Sequence, residues 1–209
     1  MTTPIPATLF TEPAPAERLK RAAAALTAHG FAVEILDDAT AARTRVRELI
    51  PEGASVYTSA SETTRLSGIR EDINDSGRYQ AVGPRVMAMD RETEFDDIRR
   101  LIAGPDFVVG SVAALTETGS IVAASASGSQ VPAYSGGAGH AIWIVGAQKV
   151  VPDLSAALRR VEEHCLPLES ERAQAVYGQP SAINRLLVMN AELHPGRATV
   201  LLLREAIGF

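Results

Sequence analysis

The chain reads as an α/β protein with a mostly parallel sheet flanked by helices. Three observations say so: helix-forming stretches alternate with short apolar runs, the apolar runs are rich in Val and Ile, and no internal repeat or clear linker interrupts them. Strands covered on both faces lose the polar-out alternation of a half-exposed sheet, which fits "DFVVGS" and "ATVLLL".

Taken in order, "AERLKRAAAALTAH" (16–29) is built of strong helix formers and Gly30 is placed to end it. "FAVEIL" (31–36) reads as a strand. "DDATAARTRVRELI" is an amphipathic helix with Val46, Leu49 and Ile50 inward and Pro51 stopping it. "ASVYTS" (54–59) is a strand ending in hydroxyls, and "SETTRLSGIREDINDSG" gives one or two short helices with Ser61 as N-cap. "RVMAMD" (85–90) is expected to be a strand leading into the helix "RETEFDDIRRLIA". Strands follow at "DFVVGS" (106–111), "SIVAAS" and "HAIWIVG". Pro152 is expected in the first turn of the helix "PDLSAALRRVEEHC". Residues 181–189 read as helical or mixed, and "ATVLLL" (198–203) as the last strand. The expected organisation is a Pro-rich arm over residues 1–16 and one α/β domain over 17–209.

Composition narrows the function classes. Twenty Lys and Arg stand against 25 Asp and Glu, a net charge of −5, which argues against nonspecific nucleic-acid binding. The basic groupings, Arg43, Arg45 and Arg47 and then Arg99 and Arg100, are interleaved with or next to acids and read as solvated helix faces. A single cysteine, Cys165, permits neither an internal disulfide nor an iron–sulfur cluster held by four thiolates. No run approaches the roughly 18–20 apolar residues of a membrane span, and "MTTPIPATLFTEPAPAE" has no signal-type apolar region. A cytoplasmic setting is expected.

Three segments carry candidate chemistry. Glu117 lies in "LTETGS" between Thr116 and Thr118; it is either a nucleophile, general base or ligand anchor, or a carboxylate that caps a turn. Gly119 and Ser120 beside it allow close backbone approach or serve a tight turn. The hydroxyl corner Thr58, Ser59, Ser61, Thr63 and Thr64 could hold a phosphate or carboxylate, though N-capping accounts for some of it. The run from Ser125 to His140, with Gly136 and Gly137, is long for a compact domain, and His140 is either a binding group or a structural histidine. In open α/β sheets ligands collect beyond the carboxyl ends of the strands. The three segments are therefore expected to converge around one hollow. Neither a Walker loop nor a dinucleotide-binding glycine turn is present, and no histidine spacing suggests a metal.

The blocks "FDDIRRLIAGPDFVVGSVAALTETGSIVAAS" and "HAIWIVGAQKVVPDLSAALRRV", with the weaker "YTSASETTRLSGI", resemble the LUD domain, the family of the lactate-utilisation protein LutC, over roughly Ser55 to Leu203. The resemblance implies a NagB/RpiA/CoA transferase-like fold, in which coenzyme A transferases use a glutamate near a glycine as nucleophile, a setting similar to that of Glu117. It further implies an accessory role in organic-acid metabolism, in L-lactate oxidation to pyruvate with iron–sulfur partner proteins that carry the clusters, and no cofactor on this chain. The alternatives are a stand-alone enzyme acting on a phosphorylated, acyl or coenzyme-A-linked small molecule through Glu117, or a non-catalytic module that binds a small organic acid or phosphorylated metabolite. Homo-oligomerisation stays open. The family's "Thr-Ala-Asp-Ile-Glu" element and "His-Gly-Pro" turn are replaced here by "PSAINRLLVMNAELHPG" (180–196), without both acids and with the histidine at His194.

Overall fold

The computed structural model describes residues 8–209. The first seven residues of the expected N-terminal arm lie outside it. The helices are α1 (Ala16–Ala28), α2 (Ala39–Leu49), α3 (Glu62–Leu66), α4 (Ile69–Asp75), α5 (Val82–Met87), α6 (Phe95–Ala103), α7 (Leu154–Arg160) and α8 (Leu166–Tyr177). The strands are β1 (Ala32–Leu36), β2 (Ser55–Thr58), β3 (Gln80–Ala81), β4 (Phe107–Gly110), β5 (Ala114–Thr116), β6 (Ile121–Ser125), β7 (His140–Gly146), β8 (Val150–Val151), β9 (Arg185–Met189) and β10 (Ala198–Leu203).

Six strands in the order β1-β10-β7-β4-β2-β3 form an all-parallel sheet, as the α/β reading expects. The strand period of two divides its side chains cleanly. Val108, Trp143, Val145, Val200 and Leu202 enter one core with Leu19, Ala22 and Leu26 of α1. Phe107, Val109, Ile142, Ile144, Leu201 and Leu203 enter another, under Ala42 and Val46 of α2 and Ile69 and Ile73 of α4. Each buried side chain of this size contributes roughly 1.5–3 kcal/mol, so β7 and β10, buried on both faces, anchor the domain.

A second, four-stranded sheet, β8-β5-β6-β9, was not expected. Leu115, Ile121 and Ala123 point into the α1 core, while Ala114 and Val122 pack with Ala157 and Val161 against α7. The layers are therefore α2 and α4, the large sheet, α1 beside the small sheet, and α7.

Capping follows the sequence. Asp38 Oδ1 accepts from Ala41 N–H at 2.8 Å, Ser61 Oγ from Thr64 N–H at 3.4 Å, and Asp153 Oδ1 from Ala156 N–H at 2.9 Å. Gly30 ends α1 with φ +90°, and a Cβ there would lie 2.1 Å from the Glu192 carbonyl oxygen.

Three local expectations are corrected. Residues 85–90 are not a strand: α5 runs over Val82–Met87, and only Gln80 and Ala81 pair with β2. Pro84 has no N–H for a sheet ladder but is tolerated in a helix's first turn. Residues 181–189 are not helical; Arg185–Met189 is β9, antiparallel to β6. Pro152 precedes α7 rather than starting it, since Asp153 is the N-cap. Beyond α7 the chain widens into a π-turn over Val161–Cys165 and continues as α8. The widening falls just before Pro167, which lacks a donor for an ordinary α-helical ladder.

Candidate functional site

The carboxyl ends of β2, β4 and β7 are where a parallel sheet exposes ligand-binding groups. Here they bring together Ser59, Thr63 and Thr64 after β2, Ser111 after β4, and Gln148 and Lys149 in the turn after β7. Lys149 is 1% exposed. Its Nζ donates to Thr63 Oγ1 at 2.9 Å, Ser111 Oγ at 3.0 Å and the main-chain oxygen of Phe209 at 2.8 Å. Two of the acceptors are hydroxyls and the third is a main-chain oxygen of residue 209; none is an Asp or Glu side chain. Burial drives Lys149 down to about 7, and the neighbouring Arg160 charge pushes the same way.

Arg160, on the inward face of α7, is also fully buried. Its Nη1 donates to the Ala113 carbonyl and lies 2.9 Å from Cys165 Sγ, and its Nε reaches the Gln148 carbonyl at 3.4 Å. Its Nη2 is buried without a hydrogen-bond partner. A guanidinium stays charged at any working pH. Lys149 and Arg160 thus share one buried region, and neither is bonded to an Asp or Glu side chain. Burying charge in this way is costly, and a cation whose titration burial perturbs, beside a hollow, marks a candidate binding site.

Next to this cluster is a hollow of about 290 Å³, lined by Glu62, Leu66, Gln148, His164, Leu168 and the segment 206–209. A second hollow, of about 330 Å³, lies at the amino ends of β2 and β3. Three of its four charges, Asp72, Glu52 and Arg78, are engaged by Arg43–Asp72 and Arg78–Glu52 pairs, and it is remote from the carboxyl-end chemistry.

The expected convergence is only half realised. Ser59 Oγ donates to Tyr134 Oη at 2.8 Å, whose own proton goes to the Ser111 carbonyl at 3.0 Å. Thr63 meets Lys149, and Thr64 Oγ1 closes on the Ser61 carbonyl at 3.0 Å. Thr58 turns away, toward Asn74 Oδ1 at 3.3 Å.

His140 opens β7 opposite Phe107, at the amino edge of the sheet, whereas Thr58 lies opposite Val109 near the other end. Its ring stacks on Phe107 at 4.7 Å, and Nδ1 meets the Gly196 carbonyl at 3.1 Å. Gly137 packs at that same edge, where a Cβ would lie 2.1 Å from the Ala103 carbonyl oxygen. Gly136 sits in the same turn at φ +140°.

Glu117 belongs to a third place, the β5–β6 hairpin against α1. Its carboxylate is 2.6 Å from Arg18 Nε and 2.7 Å from Arg21 Nε. The rest of the hairpin is tied down similarly. Thr116 and Thr118 share a hydrogen bond of 2.9 Å, the Gly119 carbonyl meets His29 Nδ1 at 2.9 Å, and Ser120 Oγ donates to Asn190 Oδ1 at 2.8 Å. Glu117 is four residues along an extended chain from Ala113, the Arg160 partner, or roughly 13 Å at strand rise. The geometry is that of a clamp between hairpin and helix. Replacing Glu117 by Gln is expected to cost about 1 kcal/mol in urea unfolding, because the two arginines are partly solvated, and to leave ligand affinity at Lys149 unchanged. A loss of ligand binding in this variant would restore the acid to the site.

Lys149, Arg160, Gln148 and Ser111 were not among the sequence candidates. The available signals were a lysine inside the apolar run "AIWIVGAQKVV" and an arginine three residues after Ala157 on an apolar helix face. Among the described residues no cluster of His, Cys, Asp and Glu could hold a metal ion, and no helix is long and apolar enough to cross a membrane.

The family described as LUD domain matches residues 19–203. Among solved structures, a DUF162 family protein from Deinococcus radiodurans is similar, with a TM-score of 0.55 and 14% identity, over 90% of this chain and 97% of that one. At that identity the likeness concerns the fold. Comparison with curated proteins gives no match.

Proposed function

Because the chain belongs to the LUD domain family, we propose that it is a LutC-like accessory protein of cytoplasmic organic-acid metabolism, serving the oxidation of L-lactate to pyruvate with iron–sulfur partner proteins. The observation that carries this reading is the buried pair Lys149 and Arg160, none of whose hydrogen bonds goes to an Asp or Glu side chain. Such a region favours an organic anion over a neutral or cationic ligand. Converting a 2-hydroxy acid to a 2-oxo acid releases two electrons and two protons. A chain with one cysteine cannot ligate a four-thiolate cluster, so the electrons are assigned to partner chains. Direct nucleophilic chemistry by Glu117 is the weaker reading, since two arginines hold its carboxylate at the α1 hairpin.

Deletion of the gene in its native host is expected to abolish growth on L-lactate as sole carbon source while growth on pyruvate persists. The tagged protein is expected to co-purify with polypeptides bearing iron–sulfur absorption. Normal growth of the deletion strain on L-lactate would end this assignment.

A further inference from the structure

We infer that Lys149, Thr63 and Gln148 form the receptor for the carboxylate of a small monocarboxylic acid, and that the chain's own segment 206–209 occupies that receptor when no acid is bound. This rests on the organic-acid reading above and specifies where and how the acid is held.

Three successive main-chain oxygens of the segment converge on these donors. Phe209 O accepts from Lys149 Nζ at 2.8 Å, Gly208 O from Gln148 Nε2 at 2.9 Å, and Ile207 O from both Gln148 Nε2 at 2.9 Å and Thr63 Oγ1 at 3.3 Å. The donors come from two separate elements, α3 and the turn after β7, and all aim at one place. Lys149 is 1% exposed, Thr63 1% and Gln148 5%, so they are built into the protein rather than arrayed on its surface. An ionised carboxylate offers about four acceptor sites on two oxygens and no donor, which matches the Lys149, Thr63 and Gln148 Nε2 donors; Gln148 Oε1, which accepts from Ile207 N–H at 3.3 Å, is left to water when the segment lifts. The buried Arg160 Nη2, which has no partner, adds unspent positive potential behind it.

The segment fits tightly but by main chain alone. Gly208 adopts φ +65°, and a Cβ there would lie 2.3 Å from Thr63 Oγ1 and 2.7 Å from Thr63 N. Apart from Ile207, which is 9% exposed, the four residues are partly or fully solvent-accessible. They also form one wall of the 290 Å³ hollow. Lifting the segment joins that hollow to Lys149. The carboxylate then takes the oxygens' place with charge-assisted bonds, and the body of the acid enters space bordered by Leu66 and Leu168. Glu62 on the same border is neutralised by Arg65 at 2.7 Å, and the receptor itself holds a single lysine charge, which matches a monocarboxylate better than a dianionic phosphate ester.

The test is calorimetric titration of the full chain at about pH 6.5, just below the Lys149 value, with acetate, L-lactate, pyruvate and inorganic phosphate. The monocarboxylates are expected to bind and phosphate to bind at least tenfold more weakly. Lys149→Met should lower monocarboxylate affinity a hundredfold or more while retaining a cooperative melt. Gly208→Ala, which pushes the segment off Thr63, should raise affinity about tenfold. In the unaltered protein, saturating L-lactate or pyruvate should speed amide hydrogen exchange across residues 206–209, a readout independent of any variant's folding. Equal binding by Lys149→Met, preference for phosphate, or slower exchange across 206–209 on ligand addition would each overturn the inference. If no monocarboxylate binds, the receptor is refuted, while failed growth on L-lactate with iron–sulfur co-purification would still support the accessory role.

Discussion

Arg160→Ala is expected to lower the unfolding free energy by about 3–5 kcal/mol, and Arg160→Met by less than half as much. The alanine variant removes a fully buried long side chain, leaving a cavity between α7, the Ala113 and Gln148 carbonyls and Cys165. It also strips the donors from the Ala113 and Gln148 carbonyls. Each buried acceptor left without a partner costs about 1–3 kcal/mol. Methionine fills most of the volume and removes a positive charge that opposes Lys149, so part of the loss is offset. Urea unfolding at about pH 7 with an unchanged m-value checks both variants. Equal loss in the two would locate the stabilisation in the guanidinium's hydrogen bonds alone; a loss under about 1 kcal/mol for alanine would show that Arg160 does not hold α7 to the sheet.

What was legible in the sequence is what local periodicity controls. The large sheet's strands at 107–110, 140–146 and 198–203 carry near-continuous apolar runs, those at 32–36 and 55–58 carry shorter mixed ones, and Ser61 and Gly30 mark a helix start and a helix end. β6 of the small sheet reads as a strand, but β5, β8 and β9 are two to five residues long, and β8 and β9 join the sheet through distant pairing, as when Ile121 meets Met189. The site divides along the same line. A carboxylate in a Thr–Gly turn draws attention as chemistry, yet its meaning depends on Arg18 and Arg21, nearly a hundred residues earlier. The hydroxyl corner follows the strand end, but the cation Thr63 meets lies 86 positions away. Buried cations are hidden from one-dimensional reading because a lone lysine or arginine in an apolar run looks the same whether it reaches solvent or not.

The pH dependence of stability gives the second large effect, and Lys149→Met is the variant that exposes it. An unfolded lysine titrates near 10.5, and burial holds Lys149 at about 7 in the folded chain. Between those values the unfolded state binds the extra proton, so stability rises with pH, by about 1.4 kcal/mol for each pH unit attributable to this residue. Below about 7 both states are protonated and the full burial cost is present. The methionine variant has no such titration. Its advantage over the native chain is therefore expected to be greatest at about pH 6 and to shrink by several kcal/mol as the pH approaches about 10. Arg160 and Cys165, the other ionisable groups facing Lys149, are common to both proteins and cancel to first order. Paired urea titrations at roughly pH 6, 7, 8 and 9 supply the difference curve. The same linkage joins stability to the ligand: an anion bound at Nζ favours the charged lysine, so monocarboxylate affinity should fall as the pH rises above about 7, with proton uptake on binding. A flat difference curve would mean that Lys149 is solvated in the folded chain, and a solvated lysine has no desolvation cost for a carboxylate to relieve.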